Sequence, residues 1–248
     1  MKRYKFIGKL SMFLLTTLSA YRASAQTYRL RSLEGVEVSV RVNNEPVNFN
    51  KLNKLNKQQG RCYLSVVSGK DTVFVYDAWA PGTGKVLNQQ FLQIDYPVRG
   101  GTNVGLGSTL VLCVAKGKLC QAFKLPTYHQ TDLYNPDYHK LYQIRLRLVG
   151  TTPQTYQFYL TTHNEIRSES EPATNHNITT QAVLKFDAQR HLFHNGLKRP
   201  PSPFAILDDK TERVIKWKVT EPLPVIEWDN SVQYFIQGAW YGAARTNI

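Results

Sequence analysis

Apolar and polar residues alternate with a period of two in segment after segment of this chain, and that pattern commits it to β-sheet. Val36, Val38, Val40 and Val42 alternate with Glu37, Ser39 and Arg41, and Tyr142, Ile144, Leu146 and Leu148 with Gln143, Arg145 and Arg147. Tyr156, Phe158 and Leu160 alternate with Gln157, Tyr159 and Thr161, and Ile215, Trp217 and Val219 with Lys216 and Lys218. Side chains two apart on a strand share a face, so each segment predicts a strand with one face on a core and the other in water. Helical spacing is poor. Phe49 to Gln59 places Leu52 and Leu55 at i and i+3, but asparagines and glutamines interrupt it, and it reads as a loop or a single turn.

Turn signals punctuate the strands. Ser68-Gly69-Lys70-Asp71, Lys116-Gly117, Thr151 to Gln154 and Asp187-Ala188-Gln189 each separate two strand-like runs. Short strands at such spacing predict an all-β sandwich or barrel. Between Phe123 and Tyr138 the alternation stops and Pro126 and Pro136 appear, which marks the best place for a linker. The expected organisation is a leader over residues 1–25, a β-sandwich over 26–125, a linker over 126–137 and a second β-sandwich over 138–248. Two tandem immunoglobulin-like β-sandwiches come first, and one larger β-sandwich or barrel is the alternative.

The stretch Leu148-Val149-Gly150-Thr151-Thr152-Pro153-Gln154-Thr155-Tyr156-Gln157-Phe158 resembles the end of a fibronectin type III domain. Tyr156 stands where that family places its corner tyrosine, and Glu165 to Pro172 adds a serine-rich turn after it. The resemblance is confined to residues 148–172. It implies a sandwich and nothing about ligand or activity.

The first residues predict export. Lys2, Arg3, Lys5 and Lys9 precede an apolar stretch from Leu10 to Leu18, and Ala23-Ser24-Ala25 offers small residues where a signal peptidase reads. That stretch is far shorter than the roughly 20 residues that span a bilayer. No cysteine near the junction suggests a lipid anchor, and the longest later apolar run, Thr109 to Ala115, has strand length. The expectation is a periplasmic or released protein with no transmembrane anchor after cleavage before Gln26. Loss of residues 1–25 removes five cations and no acid, taking the net charge from +13 to +8. Such a surplus favours anionic partners.

Of three cysteines, Cys113 and Cys120 flank Lys116-Gly117. A two-residue hairpin turn there sets Ala115 opposite Lys118, Val114 opposite Leu119 and Cys113 opposite Cys120. An oxidising compartment would let that pair close as a disulfide, contributing roughly 2–3 kcal/mol, with Cys62 left over.

Motifs for chemistry are weak. Gly82-Thr83-Gly84-Lys85 lacks the rest of a phosphate-binding loop and reads as a turn, and the glycine-rich Arg99 to Ser108 reads as a mobile loop. His191 and His194 would face opposite sides of a strand, so no metal is expected. No Gly-x-Ser-x-Gly occurs, and the acid pairs Glu169/Glu171, Asp208/Asp209/Glu212 and Glu227/Asp229 lie among loop-forming residues. Asn177-Ile178-Thr179 is a formal glycosylation sequon.

The surface says more. Arg145 and Arg147 should share the outer face of one strand, with Tyr159 beside them on its hairpin neighbour. Guanidinium and aromatic groups side by side suit anionic or sugar ligands. The expected function is non-catalytic binding of an envelope protein or an anionic polysaccharide through sheet surfaces, with no cofactor and no nucleic acid. An envelope polysaccharide hydrolase and a periplasmic chaperone-like assembly factor are the alternatives; a free edge strand would favour binding or chaperoning.

Overall fold

A computed structural model describes residues 24–44, 64–98, 104–131, 137–199, 204–208, 213–229 and 231–242. The fold is all-β. An N-terminal sheet consists of β1 (Ser24–Arg31), β2 (Glu37–Asn44), β3 (Leu64–Ser68) and β4 (Asp71–Val75), paired in that order. A large sheet follows: β5 (Thr83–Leu87), β6 (Phe91–Val98), β7 (Val104–Ala115), β8 (Lys118–Thr131), β9 (Tyr138–Val149), β10 (Gln157–Ser168), β11 (His176–Asp187) and β12 (Leu192–His194). Then come β13 (Gly196–Lys198), the hairpin β14 (Phe204–Asp208) and β15 (Arg213–Trp217), β16 (Leu223–Trp228), β17 (Ser231–Ile236) and β18 (Ala239–Gly242). Strands β13, β16, β17 and β18 form a C-terminal sheet.

The large sheet folds back on itself. β8 and β9 pair only where Tyr128 to Thr131 meet Lys140 to Gln143, and beyond that corner the two strands part. Register shifts at Gly107/Ser108 and Val111/Leu112 bend β7 and β8, as bulges do. The half-sheet β9–β12 therefore lies over β5–β8. Phe91, Val111, Cys113 and Phe123 from one layer share a core with Phe158, Leu160, Leu184 and Phe193 from the other. Phe123 and Phe158 meet edge to face at 4.8 Å, as do Phe158 and Phe193.

Strands β6 and β7 have a second core on their other face. Leu92, Ile94, Leu110, Leu112 and Val114 pack there against Leu30, Val40, Val42, Leu64 and Val66 of the N-terminal sheet. Two covered faces explain why Thr109 to Ala115 is one unbroken run of buried residues, where the one-face-wet pattern expected of the strands does not apply. The C-terminal sheet adds Ile226, Trp228 and Trp240 to the aromatic core. Trp240 Nε1 donates to the Gln121 carbonyl at 3.3 Å and Trp228 Nε1 to the Tyr142 hydroxyl at 2.7 Å.

Several expectations change. The proposed linker is strand as far as Thr131, because a bulge at Thr127 absorbs Pro126, which has no N–H to give the ladder. Residues 132–136 lie outside the described residues, as do Cys62, Phe49 to Gln59 and residues 99–103. The large sheet draws four strands from each side of that stretch. Thr83 and Gly84 belong to β5, not to a turn, and the Tyr28 hydroxyl occupies the space beside Gly84 where a Cβ would stand. Gly105 and Gly107 are in β7, where the Tyr128 side chain lies against them. Ile215 is 38% exposed and Val214 65%, since the β14–β15 hairpin forms a sheet of its own. β15 ends at Trp217, so Lys218 lies beyond it. The expected cleavage before Gln26 falls inside β1 and would remove only its pairs Ser24–Asn44 and Ala25–Asn43.

Candidate binding surface on strand β9

Hairpin β9–β10 is set by its connection. Gly150 adopts φ +92°, and a Cβ there would stand 2.3 Å from the Thr155 carbonyl oxygen. Thr155 Oγ1 accepts from the backbone N–H groups of Thr151 and Thr152, closing the turn. Tyr156 is buried, with its hydroxyl 2.5 Å from Gln90 Oε1 and 3.2 Å from the Thr151 carbonyl. The bond to a carbonyl a few residues upstream is the contact that defines a tyrosine corner. Asn88 Nδ2 donates to the Gly150 carbonyl at 2.9 Å, tying this turn to the β5–β6 connection.

The resulting register places Arg147 directly opposite Tyr159 and Arg145 opposite Thr161. Ile144, Leu146 and Leu148 face the aromatic core, so Arg145 and Arg147 are exposed on the outer side. Arg147 Cζ lies 5.2 Å from the centre of the Tyr159 ring, a cation–π distance. Among the described residues neither arginine is in an ion pair. The three residues singled out from the sequence thus stand together on one exposed face.

A groove of about 780 Å³ runs beside β9. Gln143, Ile144, Arg145 and Leu146 line it consecutively although alternate residues point opposite ways, so it opens onto the strand's edge. The facing wall carries a polar cluster: Thr109 Oγ1 donates to Asp95 Oδ1 at 2.5 Å and lies 3.0 Å from Thr127 Oγ1, and Gln93 Nε2 donates to Asp95 Oδ2 at 2.9 Å. These residues were not foreseen. They come together from three strands at a bulge inside the stretch read as a linker, and no local motif marks such a meeting.

The other candidates have local roles. Cys113 and Cys120 are paired across β7–β8 in the expected register, and both are thiols. A hydrogen bond between them, with burial, holds Cys113 well above the ordinary thiol range, and the same bond lowers Cys120 to about 7. Asp187 contacts Arg190 at 2.7 Å and His194 at 3.6 Å, Glu165 pairs with His163 and Arg167, and Glu227 pairs with Lys198. No group of three or more His, Cys, Asp or Glu residues has metal-binding geometry among the described residues. No helix among them is long and apolar enough to cross a membrane.

No protein-family model matches the chain, and no curated protein or solved structure is significantly similar to it.

Proposed function

We propose that this chain is an exported, non-catalytic binding protein of the cell envelope that holds a carboxylate-bearing macromolecule on the outer face of β9 and β10. The observation behind this reading is the trio on one outer face, Arg145 and Arg147 exposed and Tyr159 half-buried beside them, with no acid among the described residues paired to either arginine. Guanidinium groups unpaired on a rigid sheet are pre-organised for carboxylate, and stacking on Tyr159 limits the freedom Arg147 loses on binding. The surplus of positive charge, +13 for the whole chain and +8 once residues 1–25 are removed, adds long-range attraction for such a partner.

The test is binding of the full chain to an immobilised polyuronate and to polyglutamate, across a salt series. Wild type is expected to bind with an affinity that falls as salt rises, because screening shortens to about 8 Å at physiological ionic strength. Replacing both Arg145 and Arg147 with Gln should weaken binding at least about tenfold while moving stability by no more than about 0.5 kcal/mol. Undiminished binding by the double variant would reduce the trio to a solvated strand face. Unfolding many degrees earlier would make the arginines structural.

A further inference from the structure

We propose that the free edge of β9 takes up an extended polypeptide segment as an added strand, one with acidic side chains at alternate positions beside Arg145 and Arg147. The inference rests on the carboxylate-binding reading of the β9–β10 face and names both the partner and the way it is held.

β10 covers one side of β9 along its whole length, from Tyr138 to Val149. On the other side β8 reaches only Lys140 to Gln143. From Ile144 to Val149 no described strand pairs with that second side. Alternate residues of a strand in an antiparallel pair turn both N–H and C=O to the same side. Every second residue from Ile144 to Val149 therefore offers a donor and an acceptor to the open edge. Proteins usually blunt such edges with charged side chains, lysine above all, or with proline, a bulge or a covering element. Ile144-Arg145-Leu146-Arg147-Leu148-Val149 contains no proline or lysine; its charges are Arg145 and Arg147, which an acidic segment would meet, and Ile144 to Leu146 line the groove.

Geometry and charge choose the occupant. A strand laid along this edge spans about 20 Å for six residues and sends alternate side chains to opposite faces. One set stands on the outer face next to Arg145 and Arg147, where opposite charges across neighbouring strands attract. The other set enters the groove toward Asp95, Thr109 and Thr127, whose oxygen atoms suit hydroxyl or amide side chains. The segment is thus acidic on one face and small and polar on the other. A second copy of this chain, still at a net charge of +8 without residues 1–25, is a poor electrostatic match.

The probe is a peptide of alternating threonine and glutamate, blocked at both ends, titrated against the full chain by fluorescence anisotropy. Two further peptides carry N-methyl groups on all glutamates or on all threonines, which removes the backbone donors along one edge and keeps every charge. The unmodified peptide is expected to bind, one N-methylated form to bind at least about tenfold more weakly, and the other to bind nearly unchanged. The Arg145→Gln, Arg147→Gln double variant should weaken binding of the unmodified peptide. Hydrogen exchange should show alternate amides within 144–149 open in the free protein and protected on binding. If both N-methylated peptides bind as well as the parent while the arginine variant fails, the charged face stands and strand addition is wrong. Binding of polyuronate but not of peptide overturns strand addition in favour of a polysaccharide, and binding of neither overturns both readings. Edge amides already protected in a dimeric free protein would assign the edge to a second copy and overturn the inference.

Discussion

Cys113 and Cys120 face each other across β7 and β8 next to a turn in which Lys116 and Gly117 both take positive φ, 50° and 73°. Their pairing follows from two turn residues and the period of a strand, so it is legible in the sequence. Directly opposed cysteines come within bridging distance, and an oxidising compartment is expected to close them as a disulfide. Non-reducing peptide mapping of exported protein checks this; two free thiols there would remove it. In the reduced protein Cys120, lowered to about 7 by its bond to Cys113, should react with iodoacetamide at neutral pH while buried Cys113 stays protected until unfolding. Asp187 supplies a second residue-scale test. Burial pushes its carboxyl up, but hydrogen bonds from the Arg190 side chain and from the Arg190 and Gln189 backbone outweigh that, and its pKa is lowered. A lowered carboxyl contributes stability above its unfolded value of about 3.9, and that contribution is lost as pH falls through the folded value. Asp187→Ala should therefore cost about 1–2 kcal/mol near pH 7. Denaturant titrations at pH 7 and near pH 3 should show the gap shrinking in acid.

At the scale of elements, the β9–β10 turn carries the candidate surface because it sets the register of Arg147 against Tyr159. Gly150→Ala forces a Cβ against the Thr155 carbonyl at φ +92° and is expected to destabilise the protein by about 1–3 kcal/mol. Tyr156→Phe, which keeps the ring and loses the hydroxyl bonds to Gln90 and Thr151, should cost about 1 kcal/mol. Thermal melts of both variants measure this order directly. The hairpins were legible because each depends on neighbours in the chain. Facing was legible too: Arg145 and Arg147 out, Ile144 and Leu146 in. What alternation could not supply was the identity of each strand's distant neighbour. It did not show that β9 leaves β8 at Gln143, that β7 has a second sheet on its other face, or that no large layer covers Ile215. Those are contacts between segments far apart in sequence, and they do not alter a local pattern. Nor does composition show that a bulge beside Pro126 lets β8 continue through a stretch with the marks of a linker.

For the whole molecule, the question is whether residues on either side of positions 126–137 unfold separately. Two independent sandwiches would each hold a core of their own. The aromatic cluster instead interleaves Phe91 and Phe123 with Phe158, Phe186 and Phe193 at centroid distances of 4.8 to 6.0 Å. Trp228 and Trp240 carry the same core into the C-terminal sheet, while β6 and β7 share their backbone with the N-terminal core. Removing either half would expose large aromatic faces of the other, so the layers should lose structure together. Equilibrium denaturation is expected to give one transition, with far-UV circular dichroism and tryptophan fluorescence coincident. Phe158→Ala, which opens a cavity at the centre of the cluster, should lower stability by about 3–5 kcal/mol and shift both signals equally. Amide exchange in β2 and β3, which do not touch Phe158 and lie beyond β6 and β7, should accelerate in the same variant under conditions where exchange follows global unfolding. Two separated transitions, with only the later strands affected by Phe158→Ala, would instead establish two autonomous domains joined at residues 126–137.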